Sequence, residues 1–183
     1  MKLLSTINDI ITNTYKVPVS GTPIILKEKR PTRCSEVKLA LNGKMVILRF
    51  DQEESDHPIF PYFVPTMGNN LNKLCDYLIF YCPNTKEELF VFLCELKSGG
   101  KDKAFDQLIA GYLFAEFLVK TAFRCLKDST PPVQYRGLVF SPKGTKGFTN
   151  PRKRSDYNKL SGMNLGYLSL PCKETCHLST LCF

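Results

Sequence analysis

The sequence predicts an α/β domain with a mixed central sheet flanked by helices. Three observations carry that expectation. Two apolar runs, 75–82 (CDYLIFYC) and 89–97 (LFVFLCELK), are separated by a short polar turn. A long amphipathic helix over 103–126 follows them, and a further strand, 135–140 (YRGLVF), follows the helix. Strand, helix, strand is a βαβ unit, which crosses over right-handed onto a parallel strand.

The elements follow in order. Leu3, Leu4, Ile7, Ile10 and Ile11 recur at helical spacing, so residues 2–14 read as an amphipathic helix. Pro18 and Gly21-Thr22-Pro23 end it. Residues 36–50 read as a hairpin: Val37, Leu39 and Leu41 alternate with polar or small residues, Asn42-Gly43 suits a type I′ turn, and Val46, Leu48 and Phe50 resume the alternation. Residues 51–57 (DQEESDH) read as an acidic loop without the spacing of a calcium site. The two runs at 75–82 and 89–97 are almost wholly apolar, as expected of strands covered on both faces. Ala104, Leu108, Tyr112, Ala115 and Val119 mark the buried stripe of the long helix, with Asp102 as its N-cap. Residues 165–170 read as a final edge strand.

The chain has 183 residues, which suits one domain. Its core is expected over about 1–140, with a basic loop and a Cys-rich extension over 141–183. Hydrophobic residues make up 43% and charged residues 23%, which excludes a disordered tail, a collagen-like fibre and a coiled coil. Asn8 and Asp9 interrupt the apolar start before a signal-peptide core forms, and no apolar run approaches the roughly 18 residues of a membrane span. A soluble, cytoplasmic protein is expected. Lys+Arg number 25 against 17 Asp+Glu, a net charge of +8 that favours a polyanionic partner.

Asp76, Glu95 and Lys97 interrupt the apolar strands. If the two runs form an antiparallel hairpin centred between Thr85 and Lys86, paired positions sum to 171, and Asp76 faces Glu95. Opposed Cβ atoms then lie about 4.5–5.5 Å apart. Lys97, two residues beyond Glu95, points to the same face. Two carboxylates that close repel each other, and Mg²⁺ or Mn²⁺ resolves the conflict, because hard divalent ions take carboxylate oxygens. Lys97 is placed to orient or deprotonate water, or to stabilise charge developing on a phosphate. The chemistry that fits is metal-assisted phosphodiester hydrolysis.

Asp76, eighteen intervening residues and then Glu95-Leu96-Lys97 resemble the PD-(D/E)xK motif of restriction-endonuclease-like nucleases. The resemblance is specific over about 74–113 and topological elsewhere. It implies an αβββαβ core, with the Asp on one central strand and the Glu-x-Lys on the next. It implies that Asp76 and Glu95 hold Mg²⁺ or Mn²⁺, that Lys97 activates or positions water, and that Gln107 on the following helix supports the site. It also implies an early Glu as a further metal contact, for which Glu36 is the candidate. Cys75 stands where the motif has Pro, and Tyr112 lies five residues after Gln107, which breaks a Gln-x-x-x-Tyr pattern.

The expected function is a Mg²⁺-dependent endonuclease or exonuclease, on DNA ahead of RNA. Lys101, Lys103, Lys143, Lys146, Arg152, Lys153 and Arg154 would hold the strand by its phosphates, with Phe148 and Tyr157 to stack on bases. A second basic cluster, Lys27, Lys29, Arg30 and Arg33, has the same reading; solvated loops are the bland alternative for both. A homodimer or a partner protein stays open. The bland alternative for the trio is a solvated Glu95–Lys97 pair worth about 0–1 kcal/mol, with Asp76 capping a turn. The rival function is a non-catalytic nucleic-acid-binding or protein-interaction module that keeps the nuclease fold. A third is an interaction protein with a zinc-bound C-terminus. Cys172, Cys176, His177 and Cys182 lack finger spacing, so buried or reduced thiols are expected there rather than structural zinc. Gly99-Gly100-Lys101 lacks the rest of a phosphate-loop motif, and no Ser/His/Asp or Cys/His set is evident.

Overall fold

The computed structural model describes residues 2–28, 33–40, 42–50, 73–97, 102–126, 131–142, 156–160, 163 and 165–183. In chain order these form α1 (Lys2–Ile10), β1 (Ile24–Lys27), β2 (Glu36–Ala40), β3 (Gly43–Arg49), β4 (Tyr77–Pro83), β5 (Leu89–Leu96), α2 (Asp102–Cys125), β6 (Val133–Ser141), β7 (Asn158–Lys159), β8 (Gly166–Pro171) and β9 (Cys176–His177), with 3-10 turns at Asn13–Tyr15 and Leu178–Leu181. The fold class is mixed α/β, with two mixed sheets. One has the order β3-β4-β5-β6-β8-β7 and the other β1-β2-β9.

The large sheet divides the core in two. Leu78, Phe80, Val91, Leu93 and Val139 face the helices and meet Leu3 and Ile7 of α1 and Leu108 and Ala115 of α2. Ile79, Phe90, Phe92, Leu138 and Phe140 face the small sheet and meet Leu26, Val37 and Leu39. Strand alternation produces both sets from one chain segment. Every residue of β5 is buried, as its almost wholly apolar run predicts for a strand covered on both faces. β3, β4 and β5 form an antiparallel meander; α2 then carries the chain to β6, which lies parallel to β5.

Four expectations need correction. α1 stops at Ile10, because Thr12 is extended and its hydroxyl accepts the Thr14 N–H at 3.5 Å, which restarts the chain as a 3-10 turn. Residues 36–50 are not a hairpin. β2 pairs with β1 and β9, whereas β3 pairs with β4 in the other sheet. Gly43 does not have the positive φ that a type I′ turn requires; Gly21 does, at 75°. Gly43 is small for another reason: a Cβ there would stand 2.4 Å from the Cys82 carbonyl oxygen across the β3–β4 pair.

The segment 165–170 is not an edge strand. β8 lies parallel to β6, and the two-residue β7 flanks it outside. The C-terminal residues are core rather than extension. Leu178 and Leu181 are buried between the sheets, the Tyr157 hydroxyl donates to the Leu181 carbonyl at 2.8 Å, and Lys86 donates to the Cys182 carbonyl at 2.9 Å. Buried Arg136 donates to the Phe183 carbonyl and stacks 5.0 Å over the Tyr157 ring. All eight cysteines are thiols. No helix among the described residues is long and apolar enough to cross a membrane.

Candidate active site

The β4–β5 register sets the site. Tyr77 pairs with Cys94, Leu78 with Leu93 and Ile79 with Phe92, so paired positions sum to 171 as expected. Asp76 precedes β4 and meets Glu95 where the ladder ends. Here side chains take over from the backbone. The Asp76 carboxylate accepts the Leu96 N–H at 2.7 Å, and the Glu95 carboxylate accepts the Asp76 N–H at 3.2 Å. Each acid is thereby pinned to the neighbouring strand, and the two are held side by side on the helix-facing side.

Lys97 follows β5 directly, anchored by its own N–H on the Phe140 carbonyl at 2.8 Å. Its ammonium lies 2.5 Å from Glu95 Oε1 and donates to Gln107 Oε1 at 2.6 Å. Gln107 Nε2 in turn donates to the Leu74 carbonyl at 3.2 Å. The amide thus ties α2 to the entry of β4 and aims Lys97 at Glu95. Among the described residues these two groups are the acceptors for an ammonium that carries three hydrogens. The Lys97 side chain is 21% exposed and Glu95 only 1%, so the pair opens to solvent from the lysine side.

The burial of Glu95 sets its electrostatics. Desolvation, and then the neighbouring Asp76 charge, push its carboxyl up from 4.5 to about 8, against the opposing pull of Lys97. Cys75 and Cys94 flank the acids, and burial pushes both thiols well up as well, with the two carboxylates adding to the effect. These thiols are spacers rather than nucleophiles.

Gly111 is a residue that sequence reasoning missed. A Cβ there would lie 2.5 Å from Cys75 Sγ and 3.1 Å from Leu93 Cδ2, so glycine is what allows α2 to approach the strand ends. A glycine in the middle of a strong helix was the available signal.

The structure brings Asp76, Glu95, Lys97 and Gln107 together. It does not bring Glu36 to them. Glu36 is exposed on β2 of the small sheet, and the described residues contain no group of three or more His, Cys, Asp or Glu that could hold a metal. Cys172, Cys176, His177 and Cys182 likewise form no such group. Lys101, Lys143, Lys146, Arg152, Lys153, Arg154, the Lys103 side chain, Lys29, Arg30, Phe148 and the acidic loop lie outside the described residues. Tyr157 is buried under Arg136, so it is not a base-stacking surface.

Two adjacent carboxyl groups are the donor chemistry that a hard divalent cation takes. Mg²⁺ is typically bound through one or two carboxylates together with water and substrate phosphate, rather than by an all-protein cage. A buried carboxyl destabilised by a second acid is what a divalent charge relieves. No family model matches the chain, and no curated protein or solved structure matches it.

Proposed function

We propose that the protein is a metal-dependent nuclease that hydrolyses phosphodiester bonds in nucleic acid, DNA ahead of RNA, in the cytoplasm. One observation carries the reading: Asp76 and Glu95 are opposed at the end of a ladder, with Lys97 fixed between Glu95 and Gln107. The succession α1, β3, β4, β5, α2, β6 is consistent with a restriction-endonuclease-like αβββαβ core. The net charge of +8 favours a polyanionic substrate.

Asp76 and Glu95 would hold Mg²⁺ or Mn²⁺, which supplies Lewis acidity and a lowered pKa for bound water. The chain's own groups do the rest. The Lys97 ammonium orients the attacking water or neutralises a non-bridging phosphate oxygen as charge develops. Gln107 prevents Lys97 from swinging away. Hydrolysis adds the water oxygen to phosphorus and expels the sugar oxygen, which leaves with a proton. The basic residues at 101, 103, 143, 146 and 152–154 are the proposed backbone contacts.

A non-catalytic binding module is the second reading, favoured because the described residues hold two acids at the site and no third. Cleavage of single- and double-stranded DNA and RNA in Mg²⁺, Mn²⁺ and EDTA, with Glu95→Ala and Lys97→Ala alongside, separates the two. The nuclease reading expects metal-dependent product that both substitutions abolish. Binding without product in any metal overturns it in favour of the module.

A further inference from the structure

α2 buries one stripe and displays another. Ala104, Leu108, Ala115 and Ala122 pack into the core. On the opposite side of the helix, Asp106, Ala110, Leu113, Phe117, Lys120 and Arg124 all fall within about 40° of one line. An outward face of this kind is ordinarily polar along its whole length. Here its middle is apolar: Leu113 is 53% exposed and Phe117 62%, the two most exposed large apolar side chains among the described residues. They lie one turn apart. The Phe117 ring is stacked on Phe114, with centroids 6.5 Å apart and planes 24° from parallel, so it is displayed in a fixed orientation.

Two apolar side chains are too few to mark an interface by area alone. The order of the whole stripe says more. Its residues are spaced alternately four and three apart, the spacing of a seam between two packed helices. Exposed Asp106 stands at one end of the seam, and exposed Lys120 and Arg124 at the other. The stripe is therefore acidic, then apolar, then basic. Turned end over end it is complementary to itself. Laid parallel on itself it would set Asp106 against Asp106 and Arg124 against Arg124, which like charge opposes.

We propose that the outward face of α2 pairs antiparallel with the same face of a second copy of this chain, about a two-fold axis. Facing positions then sum to 230. Leu113 meets the partner's Phe117, Asp106 meets the partner's Arg124, and Lys120 crosses over the partner's small Ala110. The two-fold makes each of these contacts twice. The seam from 106 to 124 is about 27 Å long, and one helix pair of that length buries less than a standard interface of ~1,200 Å² or more, so the dimer is a weak one. The pairing does not depend on the nuclease reading, because it uses the side of α2 turned away from the core.

The test is analytical ultracentrifugation of the full chain, with circular dichroism to check the fold of each variant. The wild type should sediment as a monomer at about 1 μM and largely as a dimer at about 300 μM. Phe117→Ser should weaken association at least tenfold, since it removes the centre of the seam. Asp106→Arg and Arg124→Asp should each weaken it about tenfold, because each sets like charges together at two symmetric contacts. Complementation is the decisive readout. An equal mixture of these two single variants should dimerise again, since one copy then carries two cations on the seam and the other two anions. The double variant with both reversals should associate like the wild type. A wild type still monomeric at about 300 μM overturns the proposal and leaves the patch to a different protein. A dimer indifferent to Phe117→Ser places the interface elsewhere and overturns it too. Charge reversals without effect, or reversals that neither the mixture nor the double variant repairs, overturn the antiparallel pairing.

Discussion

Glu95 is the residue whose protonation the fold should feel most. It is 1% exposed, lies against Asp76 and has its carboxyl raised from 4.5 to about 8. The folded chain therefore holds this proton between those two values, whereas the unfolded chain has released it. Folded protein binds more protons across that window, so the contribution is fully present below about 4.5 and is lost as pH rises through about 8. At about 1.4 kcal/mol per unit, the wild type should lose roughly 3–4 kcal/mol between pH 5 and pH 8 from this group alone.

Glu95→Gln removes the titration. It keeps one acceptor but turns an amide N–H₂ toward either Lys97 or the Asp76 N–H, which costs about 1–3 kcal/mol at any pH. The variant should therefore be less stable than the wild type at pH 5 and equal or more stable at pH 8. Urea unfolding followed by far-UV circular dichroism at the two pH values measures this, since the chain has no Trp to report by fluorescence. The difference between the two pH dependences isolates Glu95 from the other titrating groups. Parallel pH dependences, or a wild type that gains on the variant as pH rises, would refute the burial argument.

Gly111→Ala should destabilise by about 1–3 kcal/mol through overpacking against Cys75 and Leu93, even though helix propensity alone favours Ala by about 1 kcal/mol; a raised Tm would contradict the close approach. Gln107→Leu deletes the acceptor for Lys97 and the donor to Leu74, and should cut metal-dependent cleavage about tenfold or more, with nucleic-acid affinity retained in a filter-binding assay. Mg²⁺ at ten times its Kd should stabilise the wild type by ~1.4 kcal/mol, an upward Tm shift of about 3–6 °C that Asp76→Asn abolishes. Arg136→Met frees the Phe183 and Tyr135 carbonyls and removes the stack on Tyr157, so proteolysis at 178–183 should accelerate.

The trio was legible because its strands are simple. An almost wholly apolar run can only be buried on both faces, and a short turn between two such runs leaves few registers, so position 76 meets 95. The Asn42-Gly43 signal failed for a local reason. Tyr81 donates to the Asn42 carbonyl at 2.6 Å and Asn84 to the Asn42 side chain at 2.9 Å, so the dipeptide links two sheets instead of reversing one strand. Alternation in 37–41 announces one buried face without saying which sheet provides the cover. β9 has two residues, too few for any periodicity. Buried or reduced thiols were expected among the C-terminal cysteines, but two leucines three residues apart are too short a pattern to announce that the segment packs between the sheets. Glu36 came from resemblance alone, with no pattern in its own neighbourhood to place it.

The bland account of Asp76, Glu95 and Lys97 was a solvated pair at a strand end. Burial decides against it: Glu95 has almost no contact with water, and Lys97 is mostly covered. A buried ion pair is a poor device for stability, since apolar residues of similar volume often do as well or better. Here the case is stronger, because the second carboxylate is the cause of part of the destabilisation. Apolar side chains at 76 and 95 would extend a layer that is already continuous from Val46 to Val139. The fold instead uses the Asp76 and Leu96 amides, the Gln107 amide and a glycine in α2 to hold two carboxyl groups together. Each of these devices removes freedom from a group that would otherwise rotate away from its neighbour. Such preorganisation contributes little to folding, but it is what a site needs when a cation and a phosphate must find their contacts already in place.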